Sequence, residues 1–219
     1  MLKRRIAALL LAFMPWHLAA ESISLSVQVI DSQTSEPVAN ARVIVNNGPA
    51  ARPSSAEMAQ KNRRFQPRSL LVAQGSKVNF PNYDNTQHHV YSFSPAKVFD
   101  IELYANEPED PILFDKTGVV EVGCNIHDQM QGFILVTDSA LTARTNQSGV
   151  ATIILPADVA SGNDLSLSLW HPGLENATEM VNFTVSLPAA DSVELALDLT
   201  PERKEAGRLD GLQKRFRDL

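Results

Sequence analysis

The segment GCNIHDQMQGF places Cys124, His127 and Met130 at successive intervals of three residues. A thiolate, an imidazole and a thioether on one tight loop can converge on a single ion. Thiolate and thioether are soft enough for Cu(I), and imidazole also accepts Cu(II), so the set suits copper. With a second imidazole it becomes the two-His, one-Cys, weak-axial-Met ligand set of a blue-copper centre. That imidazole must come from elsewhere in the chain. Upstream, VNFPNYDNTQHHVYSF offers His88 and His89 at the start of a strand. Adjacent strand residues point to opposite faces, so only one of the two can face the metal. Taken singly, a lone Cys is a small hydrophobe and a lone Met is core filler. Their conjunction on one loop favours the ligand reading, as does an unpaired thiol in an oxidising compartment.

That compartment is read from the N terminus. Lys3, Arg4 and Arg5 precede the apolar run IAALLLAF, and Ala19 and Ala20 follow. This is the three-part layout of a secretory signal over residues 1–20, too short for a stable membrane span. No later stretch approaches the length needed to cross a bilayer, so the mature protein is expected to be periplasmic and without a transmembrane segment. Loss of the three basic signal residues takes the formal net charge from −6 to −9. Such a surface repels phosphate backbones, and no basic patch interleaved with aromatics appears, so nucleic acid is not an expected partner. The single cysteine excludes a disulfide framework and a four-cysteine zinc site.

The elements that must position these ligands read as strands. SISLSVQVI alternates, with Ile23, Leu25, Val27 and Val29 on one face, and ARVIV follows a turn. NNGPAARPSS then breaks the pattern as a boundary would. QPRSLLVAQGSKVNF supplies two short strands around Gln74-Gly75, and GVVEVG and QGFILV bracket the cysteine. After Asp138, GVATIILP, DLSLSLW, VNFTVSLP and SVELALDL continue the series. Short strands about a dozen residues apart predict an all-β, sandwich-type fold. The tail, residues 201–219, differs: Ala206, Leu209, Leu212, Phe216 and Leu219 recur at helical spacing behind Pro201. It carries six basic and four acidic residues and reads as a short amphipathic helix, either docked on its own domain or offered to a partner.

VNFPNYDNTQHHV together with the Cys-x2-His-x2-Met loop resembles the cupredoxins, and the short ligand loop is amicyanin-like. Plastocyanin-like members have the same order, one early His and then Cys, His and Met. The amicyanin pattern of Asn, five residues, then His-x-Val is matched by Asn82 and His88-His89-Val90. The resemblance therefore implies one copper ion, cycling between Cu(I) and Cu(II), held by His88, Cys124, His127 and Met130. It also implies that His127 is the exit route for the electron. His89 is a departure, standing where the family commonly has Asn or Ser. GCNIHD is also typical of bacterial proteins labelled methylamine utilization proteins. The likeness covers roughly residues 58–137.

The flanks, VQVIDSQTSEPVANARVIV and then TNQSGVATIILP and LSLSLWHPG, resemble carboxypeptidase regulatory-like or transthyretin-like sandwiches. The implied organisation is a Greek-key cupredoxin domain, 49–137, inserted in an immunoglobulin-like or transthyretin-like sandwich formed by 21–48 and 138–200. His171 then sits at a strand end with no metal role. Four histidines remain after the signal, too few for a trinuclear copper cluster beside this site, and a binuclear copper centre needs two cysteines. There is no GxSxG, HExxH or P-loop. The expected function is a non-enzymatic one-electron carrier between periplasmic redox partners. The alternative is a copper-binding or sensing module acting through protein–protein interaction.

Overall fold

The structure, a computed structural model, describes residues 22–108, 110–127, 129–162, 164–187 and 192–200. The expected signal (1–20) and C-terminal helix (201–219) lie outside the described residues. The chain forms β1 (Ile23–Asp31), β2 (Arg42–Val45), β3 (Ser55–Glu57), β4 (Ala59–Gln60), β5 (Phe65–Gln66) and β6 (Ser69–Ala73). It continues through β7 (Ser76–Asn79), β8 (His88–Ser94), β9 (Lys97–Tyr104), β10 (Ile112–Phe114), β11 (Gly118–Gly123) and β12 (Gln131–Thr137). The last elements are β13 (Thr142–Arg144), β14 (Val150–Leu155), α1 (Ala157–Ala160), β15 (Asp164–Trp170), β16 (Val181–Ser186) and β17 (Ser192–Leu197). The fold class is the expected one, nearly all β in several sheets. No helix among the described residues is long and apolar enough to cross a membrane.

Strands from the two flanks pair with each other. They make a β14-β1-β17 sheet and a β13-β2-β15-β16 sheet, while residues 55–137 make the five-stranded sheet β6-β12-β11-β8-β9 and the smaller β10-β7-β3 and β4-β5 sheets. In β1 the alternation read from sequence is realised. Leu25, Val27 and Val29 are buried, and Val27 lies opposite Ala151 of β14. Ile23, which opens the strand opposite Leu155, is exposed.

The strand β12 has an apolar run where β1 alternates, because it is covered on both faces. Phe133 and Leu135 join a core with Leu25, Val43, Leu167 and Trp170, whereas Ile134 and Val136 join a second core with Phe80, Val90 and Cys124. The five-stranded sheet is thus a wall common to both cores. The chain enters and leaves the middle region through paired backbone. Ala51 N–H donates to the Asp138 carbonyl at 2.6 Å, and Ala140 N–H to the Pro49 carbonyl at 2.8 Å. Gly48 is what lets these segments approach, since a Cβ there would lie 2.5 Å from Ser139 Oγ.

Strand β9, which the pattern reading passed over, is an edge strand whose Val98 and Leu103 face outward and blur its period. It pairs with β8 through a bulge. His88 lies opposite Tyr104, but Val90 lies opposite Ile101, so β9 carries one extra residue. The extra residue leaves Leu103 outside and turns Tyr104 inward. Bulges commonly re-aim a side chain beside a functional site in this way.

Candidate metal centre

Three strand ends bring the ligand candidates together. Strands β8 and β11 run antiparallel with Tyr91 opposite Gly123, so His88 at the start of β8 meets Cys124, which follows the last residue of β11. The loop from Cys124 to Met130 is closed by the Gly123–Gln131 pair and by Met130 N–H donating to the His127 carbonyl at 2.9 Å. Alternation along β8 turns the two adjacent histidines to opposite faces. His88 is fully buried on the inner face, and His89 lies on the outer face, its Nε2 2.6 Å from Asp100 Oδ1.

Cys124 Sγ lies 3.7 Å from Nδ1 of His88 and 3.7 Å from Nδ1 of His127. The three donor atoms all fall within 4.8 Å of one another. Met130 is buried in the same apolar cluster as Cys124. A thiol carries one proton and can serve only one of the two rings. A first-row metal at about 2.3 Å from sulfur and about 2.05 Å from nitrogen, with angles near ~120°, separates those atoms by about 3.8 Å. The donor set and its spacing therefore fit a metal ion better than a hydrogen-bonded cluster.

The support around His88 was not legible in the sequence. Its Nε2 lies 2.9 Å from Asp84 Oδ2, which leaves Nδ1 as the nitrogen facing the thiol. Carboxylates commonly orient metal-binding imidazoles in this way. Asp84 in turn accepts from the backbone N–H of Asn62 at 2.6 Å and of Arg63 at 2.8 Å. These two residues form the tip of the β4–β5 hairpin, and both have positive φ, 56° and 53°. Such a conformation is the one two-residue hairpins require, and it costs a non-glycine residue roughly 1–3 kcal/mol. Here it turns two successive N–H groups onto one carboxylate. Desolvation would raise the Asp84 carboxyl, but the Arg63 N–H, the His88 ring and the Asn62 N–H together hold it below the ordinary carboxylate range. Asn82 fixes the same loop, its Nδ2 donating to the Thr86 carbonyl at 2.8 Å and its Oδ1 accepting from Asp84 N–H at 2.9 Å.

Behind the site, the Tyr104 hydroxyl donates to the Phe80 carbonyl at 2.5 Å and accepts from the Gln60 amide. Burial raises its pKa far above the ordinary phenol value, so it stays protonated. His127 stands at the surface side of the cluster, its ring 4.9 Å from that of His88. Desolvation first, and then the charges of His88 and Arg63, hold its pKa below the ordinary imidazole value. A neutral imidazole is the form that can ligate.

Asp84→Ala should weaken metal binding by roughly 10–100-fold while leaving the fold intact, because it frees the His88 ring without removing a donor. Competition with a chelator measures this. An unchanged affinity would contradict the positioning role.

No family model and no curated protein matches the chain. Solved structures similar to part of it include cupredoxins. A purple cupredoxin from Nitrosopumilus maritimus is 20% identical, over 37% of this chain and 99% of that one, with a TM-score of 0.34. A reduced Cu(I) form of an amicyanin variant is 16% identical, over 44% and 98% of the two chains, with a TM-score of 0.35. A copper-containing nitrite reductase from Thermus scotoductus is 22% identical, over 50% of this chain and 28% of that one, with a TM-score of 0.36.

Proposed function

We propose that this chain is an exported type 1 copper protein that carries single electrons between periplasmic partners. One observation carries the reading: a buried thiol equidistant from two imidazole nitrogens, with the far nitrogen of one ring fixed by a carboxylate. His88, Cys124 and His127 would hold the ion, with Met130 as a fourth, weaker donor. Copper bound there would supply one-electron chemistry between Cu(I) and Cu(II). The protein's own part is to fix the donors on strand ends, exclude water with Phe80, Val90 and Phe114, and leave the His127 ring towards the surface. Donors fixed on strand ends in this way would move little if a bound ion changed oxidation state, which suits transfer.

The domain organisation is part of the proposal. Residues 49–137 would be the copper domain inserted into a host formed by 21–48 and 138–200, a reading supported by the paired entry and exit strands at Ala51–Asp138 and Pro49–Ala140.

The two histidines of β8 test the assignment. His88→Ala should lose copper on dialysis, and His89→Ala should retain one ion per chain, since its ring pairs with Asp100 on the other face. The reverse result would show that the register of β8 is shifted by one residue.

A further inference from the structure

Arg144, Arg42 and Trp170 lie directly opposite one another on β13, β2 and β15, neighbouring strands of the four-stranded sheet. Opposite residues of an antiparallel pair share a face, with Cβ atoms about 4.5–5.5 Å apart. The row therefore sets two guanidinium groups side by side, next to a fully buried indole. Arg42 is half-buried and Arg144 is exposed. Like charges directly opposite on a sheet are destabilising, and partial burial reduces the screening that would soften the repulsion.

Such a pair ordinarily comes with a carboxylate. Acidic residues outnumber basic ones in this chain, 25 to 19, yet none forms an ion pair with either arginine among the described residues. What holds the two side chains is neutral. Arg42 Nη2 donates to the Ser69 carbonyl of β6 at the long distance of 3.5 Å, and Arg144 Nη2 donates to Asn40 Oδ1. Asn40 is itself fixed, its backbone N–H donating to the Thr145 carbonyl at 3.0 Å. The Arg42 Nε–H is buried and has no acceptor. A guanidinium offers five donors, so most of them are left to solvent or to a ligand. Burial first, and then the charge of Arg144, lower the pKa of Arg42, but a guanidinium stays charged near neutral pH. The pair is positioned without being neutralised.

We propose that Arg42 and Arg144 form a site for one small oxyanion, a phosphate or a carboxylate, held between the two guanidinium groups. Guanidinium donors match two oxygens of one such group, and they are more weakly hydrated than an ammonium. The site lies at the seam between the flanking strands and the middle region. Ser69 opens β6 and lies opposite Phe133 of β12, whose ring packs on Trp170 at 5.1 Å. Neutralising the pair there stabilises the whole chain, with or without copper, so the inference does not rest on the copper reading.

The test is thermal unfolding of the metal-free full chain at neutral pH in inorganic phosphate, in acetate and in chloride, at equal ionic strength. A ligand bound by the folded state alone raises Tm with its concentration. Phosphate or acetate at roughly ten times its Kd should add about 3–6 °C over chloride. Titration calorimetry should give one site per chain, and the anion with the larger rise identifies the class. Arg144→Gln changes an exposed side chain, so it should fold normally and lose the response. Arg42→Lys keeps the charge without the planar fork and should bind the anion several-fold more weakly. No rise over chloride with either anion overturns the proposal. A rise that persists in Arg144→Gln marks binding elsewhere on the chain and overturns it as well.

Discussion

Replacing Cys124 by serine should remove the visible absorption of the copper-loaded protein altogether. The band arises from charge transfer between a thiolate and copper, and a serine hydroxyl is a hard, weakly basic donor that stays protonated. Cys124 is also the atom from which both imidazole nitrogens are equidistant, so its loss should cost more copper affinity than the roughly 10–100-fold expected for Asp84→Ala. Met130→Leu is the contrasting variant. Met130 is buried in the same cluster, and a thioether would be the weakest of the four donors. The colour should persist and the reduction potential should shift. A Cys124→Ser protein that kept the band would remove thiolate ligation from the account.

Trp170→Ala should destabilise the protein by about 3–5 kcal/mol, the cost of emptying a large buried aromatic site. Trp170 is fully buried, its ring meets Phe133 edge-on at 5.1 Å, and its Nε1–H donates to the Ala177 carbonyl at 2.8 Å. In a chain of this size each kcal/mol lowers Tm by roughly 2–4 °C, so a fall of about 6–20 °C is expected. Because Phe133 lies on β12, the strand common to both cores, the loss should be felt at the metal centre as well. Calorimetry should show one transition that moves as a whole. Two transitions, of which only one shifts, would contradict a shared wall between the cores.

The strands were legible where one face is buried, as in β1, where Leu25, Val27 and Val29 alternate with Ser and Gln. They were hidden where the pattern is short or inverted: β3 to β5 have two or three residues, and β9 keeps Val98 and Leu103 outside. Which strand pairs with which was not legible from periodicity. The parallel pairs of β1 with β17 and of β12 with β6 join segments far apart in sequence, and no local period encodes a partner.

At the site, residue type and spacing singled out Cys124, His127 and Met130 as candidates and reduced the second imidazole to two neighbours; the structure brings His88, Cys124 and His127 together. What separated the two neighbours was the facing of β8, which depends on the sheet. Asp84 carried no signal of its own. Its role comes from the N–H groups of a hairpin tip some twenty residues upstream and from a ring four residues downstream. The polar run PNYDN, in which Asn82 and Asp84 hydrogen-bond each other, was its only trace.

The central claim rests on one absorption spectrum. The mature chain should be loaded with one equivalent of copper, oxidised, and scanned through the visible before and after reduction. The expected result is an intense thiolate-to-copper band in the oxidised protein that disappears on reduction and returns on reoxidation, with one copper per chain. A colourless oxidised protein that nevertheless holds copper, or one with two ions per chain, would contradict it.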